Sequence, residues 1–164
     1  MNTRRSRRLR PRSTRPRVFI SHTSSDRRYA ARLGKLLKAA RIEYWYSREH
    51  VRSGRSWYRS VGDALENCNW LIIIVTPRTK ASVWVREEAM YAATSRRYRD
   101  RIVPLLFNRC DVRKIAWSLS TVQYIDCRKS LSGAGRQLVA VIRAGRNQRA
   151  WVIHRLDEEI SIDQ

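Results

Sequence analysis

The chain has 164 residues, and its 35 Lys and Arg side chains against 14 Asp and Glu give a formal net charge of +21. The length allows one domain with a sizeable core, and 43% hydrophobic residues exclude a disordered or low-complexity protein. The longest apolar run, Trp70 to Val75, is too short to cross a bilayer, so we expect no transmembrane helix and no membrane partner. Three scattered cysteines form neither a disulfide framework nor the close pairs of a zinc site, which favours a reducing, cytoplasmic location.

Residues 1–16 are predicted to be a basic, disordered arm. Residues 1–17 hold eight arginines and no acidic residue, and Pro11 and Pro16 interrupt any helix. Two interpretations stay open for this arm: a solvated tail, or a segment that binds nucleic acid by releasing counterions from phosphates. A secretory or twin-arginine signal is disfavoured because no apolar segment follows the arginines.

From residue 17 onward, short β-like runs alternate with stretches in which apolar residues recur at helical spacing. The apolar run at 70–75 is continuous, as expected of a central strand in a parallel sheet. The predicted strands are 17–21, 42–46, 70–75, 102–107 and 122–125, and the predicted helices lie at about 25–40, 57–68, 83–96 and 138–142.

Prolines and glycines in the second half of the chain lead to two specific expectations. Pro104 lacks an N–H, so we expect the fourth strand to lie at an edge or to carry a bulge. Gly133 and Gly135 match half of a dinucleotide-binding fingerprint, but the third glycine is missing, and we interpret them as a turn before the last helix. There is no Walker-type phosphate loop, and the three histidines stand apart, so no metal site is predicted.

The alternation of strands and helices predicts an α/β fold with an open parallel sheet and helices on both faces. Ligands of such sheets bind beyond the carboxyl ends of the strands. Ser21, His22 and Asp26 occur at one such end, but neighbouring strand residues point to opposite faces, so a capping or loop-structuring role is favoured over a catalytic triad. The segments predicted at this edge are 21–26, 46–54, 76–84 and the start of the third helix.

Glu88 lies where the third helix is expected to be apolar. At about 100° per residue, the apolar residues of this helix occupy a sector roughly 140° wide, which includes Glu88 and excludes Glu87. A lone buried carboxylate is costly, so Glu88 is either paired with an arginine at the edge of the sector or functional. The functional interpretation is favoured because this helix starts at the ligand-binding edge. The apolar residues are Trp84, Val85, Ala89 and Ala92.

Several short motifs occur in a fixed order along the chain. They are Phe19-Ile-Ser-His22 with Asp26, Trp45-Tyr-Ser47, the loop exit Gly54–Trp57, Ala64-Leu-Glu-Asn-Cys68, Ile74-Val-Thr-Pro77, Ser82-x-Trp84-Val85-x-x-Glu88 and Ile102-Val-Pro104. As an ordered set they resemble a bacterial-type TIR domain (Toll/interleukin-1 receptor homology). The resemblance implies a flavodoxin-like, three-layer fold with a five-stranded parallel sheet. It places the domain at 17–145, between the arm at 1–16 and a C-terminal extension at 146–164.

The resemblance also implies a function. Many bacterial and plant TIR domains cleave the nicotinamide–ribose bond of NAD, whereas many animal adaptor TIR domains only assemble with other TIR domains. In the enzymes the glutamate of the motif that ends at Glu88 is catalytic, and adaptor domains usually lack it. We therefore predict an NAD+ nucleosidase, a glycohydrolase or ADP-ribose cyclase, that acts as a defence or signalling effector; a non-catalytic TIR–TIR scaffold is the alternative. The NAD-binding residues implied by the resemblance are Ser21, His22, Arg52, Ser82 and Trp84.

The chemistry of NAD cleavage suits a site with a single carboxylate. Nicotinamide is a cationic leaving group, so it departs without a general acid, and one carboxylate can stabilise the oxocarbenium-like ribose. Arg52 can meet a pyrophosphate. We expect NAD as substrate with no other cofactor and no metal, and self-association with other TIR domains; nucleic acid stays open as a partner of the arm.

Overall fold

The structure is a computed structural model, and it describes residues 15–46 and 55–147. One sheet contains five parallel strands in the order β2-β1-β3-β4-β5. This is the strand order of flavodoxin-like folds, so the predicted fold class is confirmed. The strands are β1 (Arg17–Ser21), β2 (Glu43–Tyr46), β3 (Trp70–Val75), β4 (Ile102–Leu106) and β5 (Ile125–Asp126).

Helices cover both faces of the sheet and give the three layers. Alternate residues of β1 enter two separate cores: Phe19 packs with residues of α2 and α3, whereas Val18 and Ile20 pack with residues of α1 and α4. β3 is buried along its whole length, as the continuous apolar run predicts. The helices are α1 (Arg27–Ala39), α2 (Arg55–Asn67), α3 (Val83–Thr94) and α4 (Leu131–Arg143).

The prediction that Pro104 places β4 at an edge of the sheet is wrong. β4 lies between β3 and β5, and Pro104 pairs in register with Ile73 of β3. Phe107 donates its backbone N–H to Val75 of β3. Because the N–H groups of successive strand residues point alternately to the two neighbouring strands, the nitrogen of Pro104 faces β5. β5 is only two residues long and pairs with Leu105 and Leu106, so no ladder bond is required from Pro104 on that side.

Asn147 occupies the place where the β4–β5 ladder would otherwise continue. Its side-chain amide donates to the carbonyl of Ile102 at 2.7 Å and to the carbonyl of Gln123 at 2.8 Å. Asn147 is buried, and its two bonds satisfy carbonyl groups that a longer β5 would have paired. A side chain from beyond α4 therefore allows a proline inside the sheet.

Two other expectations for this part of the chain are also corrected. The fifth strand begins at Ile125 rather than at 122 and contains only the two residues that pair with Leu105 and Leu106. Gly133 and Gly135 are not a turn but lie inside α4, whose N-cap Ser130 accepts a hydrogen bond from the Gly133 N–H at 3.1 Å. A Cβ at Gly135 would lie 2.7 Å from the Leu36 side chain, so this glycine lets α4 pack closely against α1.

No helix in the described part of the chain is long and apolar enough to cross a membrane. The predicted loop 47–54 lies outside the described residues, as do nearly all of the arm and of the C-terminal extension. The domain limits at 17 and 145 stay predictions.

Candidate active site

Ser21 and Glu88 meet at the carboxyl edge of the sheet. Ser21 is the last residue of β1 and shares a strand face with Phe19, which packs towards α3. Its hydroxyl donates to Oε2 of Glu88, in the second turn of α3, at 2.5 Å. Both residues are buried, with 0% of Ser21 and 4% of Glu88 exposed. The two predicted residues, 67 positions apart in sequence, are thus in direct contact.

The placement of Glu88 follows from the start and the periodicity of α3. Ser82 caps the helix, since its hydroxyl accepts a hydrogen bond from the Val85 N–H at 3.3 Å. From this start, Glu88 falls on the buried side of the helix, whereas Glu87 is exposed, as the helical spacing predicts. Trp84 lies one turn before Glu88 and is half-buried. One helix therefore presents a capping hydroxyl, an aromatic ring and a buried carboxylate within its first two turns.

His22 points away from the contact between Ser21 and Glu88. Its ring is 4% exposed, its Nδ1 lies 3.4 Å from the carbonyl oxygen of Ile20, and its edge packs on Tyr46 with ring centroids 5.9 Å apart. Tyr46 is the last residue of β2, the strand next to β1. His22 therefore lies at the same edge of the sheet but on the side of β2. This agrees with the rule that neighbouring residues of a strand, here Ser21 and His22, point to opposite faces.

Asp26 ties together the loops that follow β1 and β3. Its carboxylate, with no exposed surface, accepts hydrogen bonds from Thr23 Oγ1 at 2.6 Å, Thr76 Oγ1 at 2.7 Å and Arg78 Nη2 at 3.1 Å. It makes no capping bond to α1. The expected loop-structuring role fits these contacts, while its partners after β3 were missed. The available signal was the polar run Thr76 to Thr79 directly after a wholly apolar strand.

Among the predicted NAD-binding residues, Ser21, His22, Ser82 and Trp84 lie at this edge, and Arg52 lies outside the described residues. Within 15–46 and 55–147, no cluster of three or more His, Cys, Asp or Glu side chains is placed to hold a metal ion. Burial raises the thiol pKa of all three cysteines, Cys68, Cys110 and Cys127. Burial raises the pKa of Cys68 to about 11 and that of Cys127 to about 12, which keeps both thiols protonated at neutral pH.

The sheet order defines a flavodoxin-like α/β domain, and the polar side chains at its carboxyl edge form a candidate site where such folds bind ligands. The sequence matches the TIR domain family over residues 18–140. The chain therefore belongs to the TIR-domain family, as its motifs predict.

Several solved structures share the fold. The TIR domain of the Toll-related receptor TRR-2 from Hydra magnipapillata is 23% identical, with a TM-score of 0.62 over 77% of this chain and 97% of that one. The TIR domains of the activated Roq1 resistosome are 14% identical, with a TM-score of 0.56 over 79% and 98%. A CMP N-glycosidase from Clostridium botulinum is 17% identical, with a TM-score of 0.51 over 78% and 98%. No curated protein matches the sequence significantly.

Proposed function

We propose that this TIR domain is an NAD+ nucleosidase that cleaves the nicotinamide–ribose bond and acts as a defence or signalling effector. The observation that carries the proposal is the buried Glu88 carboxylate, held by the Ser21 hydroxyl at the ligand-binding edge of the sheet. The similarity in fold to a protein described as a CMP N-glycosidase supports the same class of reaction, the breaking of an N-glycosidic bond.

The proposed reaction needs little more than this carboxylate. As the C1′–N bond breaks, its electron pair neutralises the pyridinium nitrogen of nicotinamide, and positive charge develops on the ribose. A carboxylate about 4 Å from that charge contributes about 4 kcal/mol at an effective dielectric constant of about 20. This corresponds to about a thousandfold in rate. Water, or a nitrogen of the adenine ring in a cyclase, then attacks C1′, and a proton is released.

The neighbours of Glu88 would position this charge and the substrate. The Ser21 hydroxyl donates to one carboxylate oxygen and thereby fixes its orientation. Trp84, one turn earlier on the same helix and half-buried, would offer an aromatic face to the nicotinamide ring. Arg52 would meet the pyrophosphate from the loop after β2.

The test compares two adjacent glutamates of one helix. The full chain, at concentrations high enough for self-association, is incubated with NAD, and released nicotinamide, ADP-ribose and cyclic products are separated by chromatography. We expect Glu88→Gln to reduce the rate by about 10²–10³-fold. Glu87→Gln, the same chemical change at an exposed position, should leave it unchanged. Intact NAD with the wild type, or equal rates for both variants, would refute the proposal.

A scaffold function has its own supporting observation. α3 exposes three large apolar side chains, with Val83 at 55%, Met90 at 48% and Tyr91 at 41%, and such a surface suits contact with another protein. TIR domains commonly self-associate, and those of the Roq1 resistosome belong to an assembly. If the domain only assembles, Met90→Lys should abolish self-association and signalling, while Glu88→Gln should preserve both. Light scattering with a signalling readout separates this case from an enzyme.

A further inference from the structure

A basic cleft lies at the end of the sheet opposite to Glu88. The chain crosses this end between α3, which ends at Thr94, and β4, which begins at Ile102, and again after α4. A cavity of about 550 Å³ lies between these two segments, and we call it the arginine cleft. Its charged lining has a net charge of +4. These side chains are Arg96, Arg97, Arg99, Asp100, Arg101 and Arg146.

Hydrogen bonds between the two segments hold the walls of the arginine cleft. Arg101 Nε donates to the carbonyl of Gly145 at 3.2 Å, and the Asn147 N–H donates to the carbonyl of Asp100 at 2.5 Å. Both segments turn sharply here, with φ of +58° at Asp100 and +81° at Gly145. The cleft is thus a built feature of the fold, with its arginines displayed from fixed backbone.

An aromatic side chain lies beside the arginine cleft. A second cavity, of about 390 Å³, shares Arg96, Arg99 and Asp100 with the cleft and is also lined by Trp117. Trp117 begins the 3₁₀ helix before β5 and is 80% exposed, far more than any other large apolar side chain in the described part of the chain. An indole that is this exposed contributes little to the packing of the domain, and its face is accessible for stacking on a ligand.

We propose that the arginine cleft and Trp117 bind single-stranded nucleic acid, with the phosphates on the arginines and a base stacked on the indole. Arginine meets phosphate oxygens with paired N–H donors, and a neighbouring aromatic ring adds base stacking that tolerates any sequence. A duplex fits less well because its bases are already stacked on one another. Inorganic polyphosphate would meet the arginines but offers nothing to Trp117.

The test measures binding of the full chain to a fluorescein-labelled oligothymidylate of about ten nucleotides by anisotropy, over about 50–300 mM salt. Arg97→Ala with Arg99→Ala removes two exposed charges from the cleft. The matched control, Arg28→Ala with Arg32→Ala, removes two exposed charges from α1. We expect the cleft pair to weaken binding about tenfold and to lower the salt slope by about 1.4. The α1 pair should change both much less. Equal effects of the two pairs would overturn the proposal, since binding would then follow total charge and the arm alone.

Trp117 separates a nucleic acid from other polyanions. Trp117→Ala should weaken binding to the oligothymidylate about 5- to 100-fold, and Trp117→Phe should retain most of it. The same substitution should leave binding of a duplex of equal length and of inorganic polyphosphate unchanged. An unaltered affinity of Trp117→Ala for the single strand, or an equal loss for duplex and polyphosphate, would overturn the stacking and with it the proposal. Thermal unfolding should match the wild type, because Trp117, Arg97 and Arg99 are exposed.

Discussion

Removal of the Asp26 carboxylate should destabilise the domain more than most single substitutions. The side chain has no exposed surface, and Asp26→Ala leaves the hydroxyls of Thr23 and Thr76 without their acceptor. Both threonines are buried, at 7% and 1% exposure, so water does not replace the lost bonds. The third partner, Arg78, has 59% of its side chain exposed and returns to solvent at little cost.

The magnitude follows from these burials. A hydrogen bond to a charged group contributes about 1.5–3 kcal/mol, so the two threonines together account for about 3–6 kcal/mol. The exposed ion pair with Arg78 adds at most about 1 kcal/mol. We therefore expect Asp26→Ala to cost about 3–7 kcal/mol, which in a domain of this size lowers Tm by about 10–25 °C. Thr76→Val should cost about 1.5–3 kcal/mol, and Arg78→Ala less than about 1 kcal/mol.

Urea unfolding of the full chain, followed by circular dichroism, measures these free energies, and the Asp26–Thr76 double-mutant cycle isolates their coupling. A decrease of less than about 1 kcal/mol in the free energy of unfolding for Asp26→Ala would refute the reasoning, because the loss of two buried hydrogen bonds to a carboxylate should cost more than this. Equal losses for Asp26→Ala and Arg78→Ala would refute it differently, by showing that the exposed ion pair dominates over the buried hydroxyls.

Two further predictions concern helix packing and pH. Gly34→Ala should destabilise the protein by about 1–3 kcal/mol in thermal melts, because a Cβ there would lie 2.7 Å from the Tyr44 ring. Gly62→Ala, where a Cβ would meet nothing within 4 Å, should stabilise the protein by about 0.5–1 kcal/mol. A change in stability of the same sign for both variants would contradict the packing at Gly34. Hydrogen bonds from Arg128 lower the pKa of Asp126 to about 2. The ionised carboxylate therefore stabilises the folded protein, by at most about 1 kcal/mol because the pair is partly exposed. This stabilisation is present above pH ~4 and is lost as the pH falls towards 2. Asp126→Asn should therefore lower Tm at pH 7 but not at pH ~2, and a constant difference across this range would count against the ion pair.

The sequence predicted the elements whose own residues determine them. β3 is apolar throughout and α1 has a regular apolar face, so both could be placed from the sequence. β5 could not, because two residues become a strand only through pairing with Leu105 and Leu106. The first turns of α4 contain two glycines, which have low helix propensity, and they are helical because Ser130 caps them and Gly135 packs against Leu36.

Some features of the candidate site could likewise be predicted from the sequence, and others could not. Glu88 could be predicted, since helical periodicity alone places it on the buried side of α3. The rule that parallel strands bring their carboxyl ends to one edge places Ser21 and the start of α3 at the same edge, but the hydrogen bond between Ser21 and Glu88 was not predicted. The polar run from Thr76 to Thr79 indicates a structured loop after β3, but it does not identify the partners of Asp26, because the residues that bind it are 50 and 52 positions away and depend on the conformation of two loops.

The charge of the domain acts on both ends of the sheet, but it does not distinguish them. Residues 18–145 carry 24 basic and 10 acidic side chains, and the resulting long-range potential attracts anions of any kind, so it would act on NAD and on nucleic acid alike. Short-range chemistry differs: the carboxyl edge offers buried hydroxyls and the carboxylate of Glu88, whereas the amino edge offers exposed arginines and Trp117. Added salt should therefore weaken the binding of any anion at both ends of the sheet. Glu88→Gln should affect only the cleavage of the bond in NAD, and Trp117→Ala only the binding of single-stranded nucleic acid.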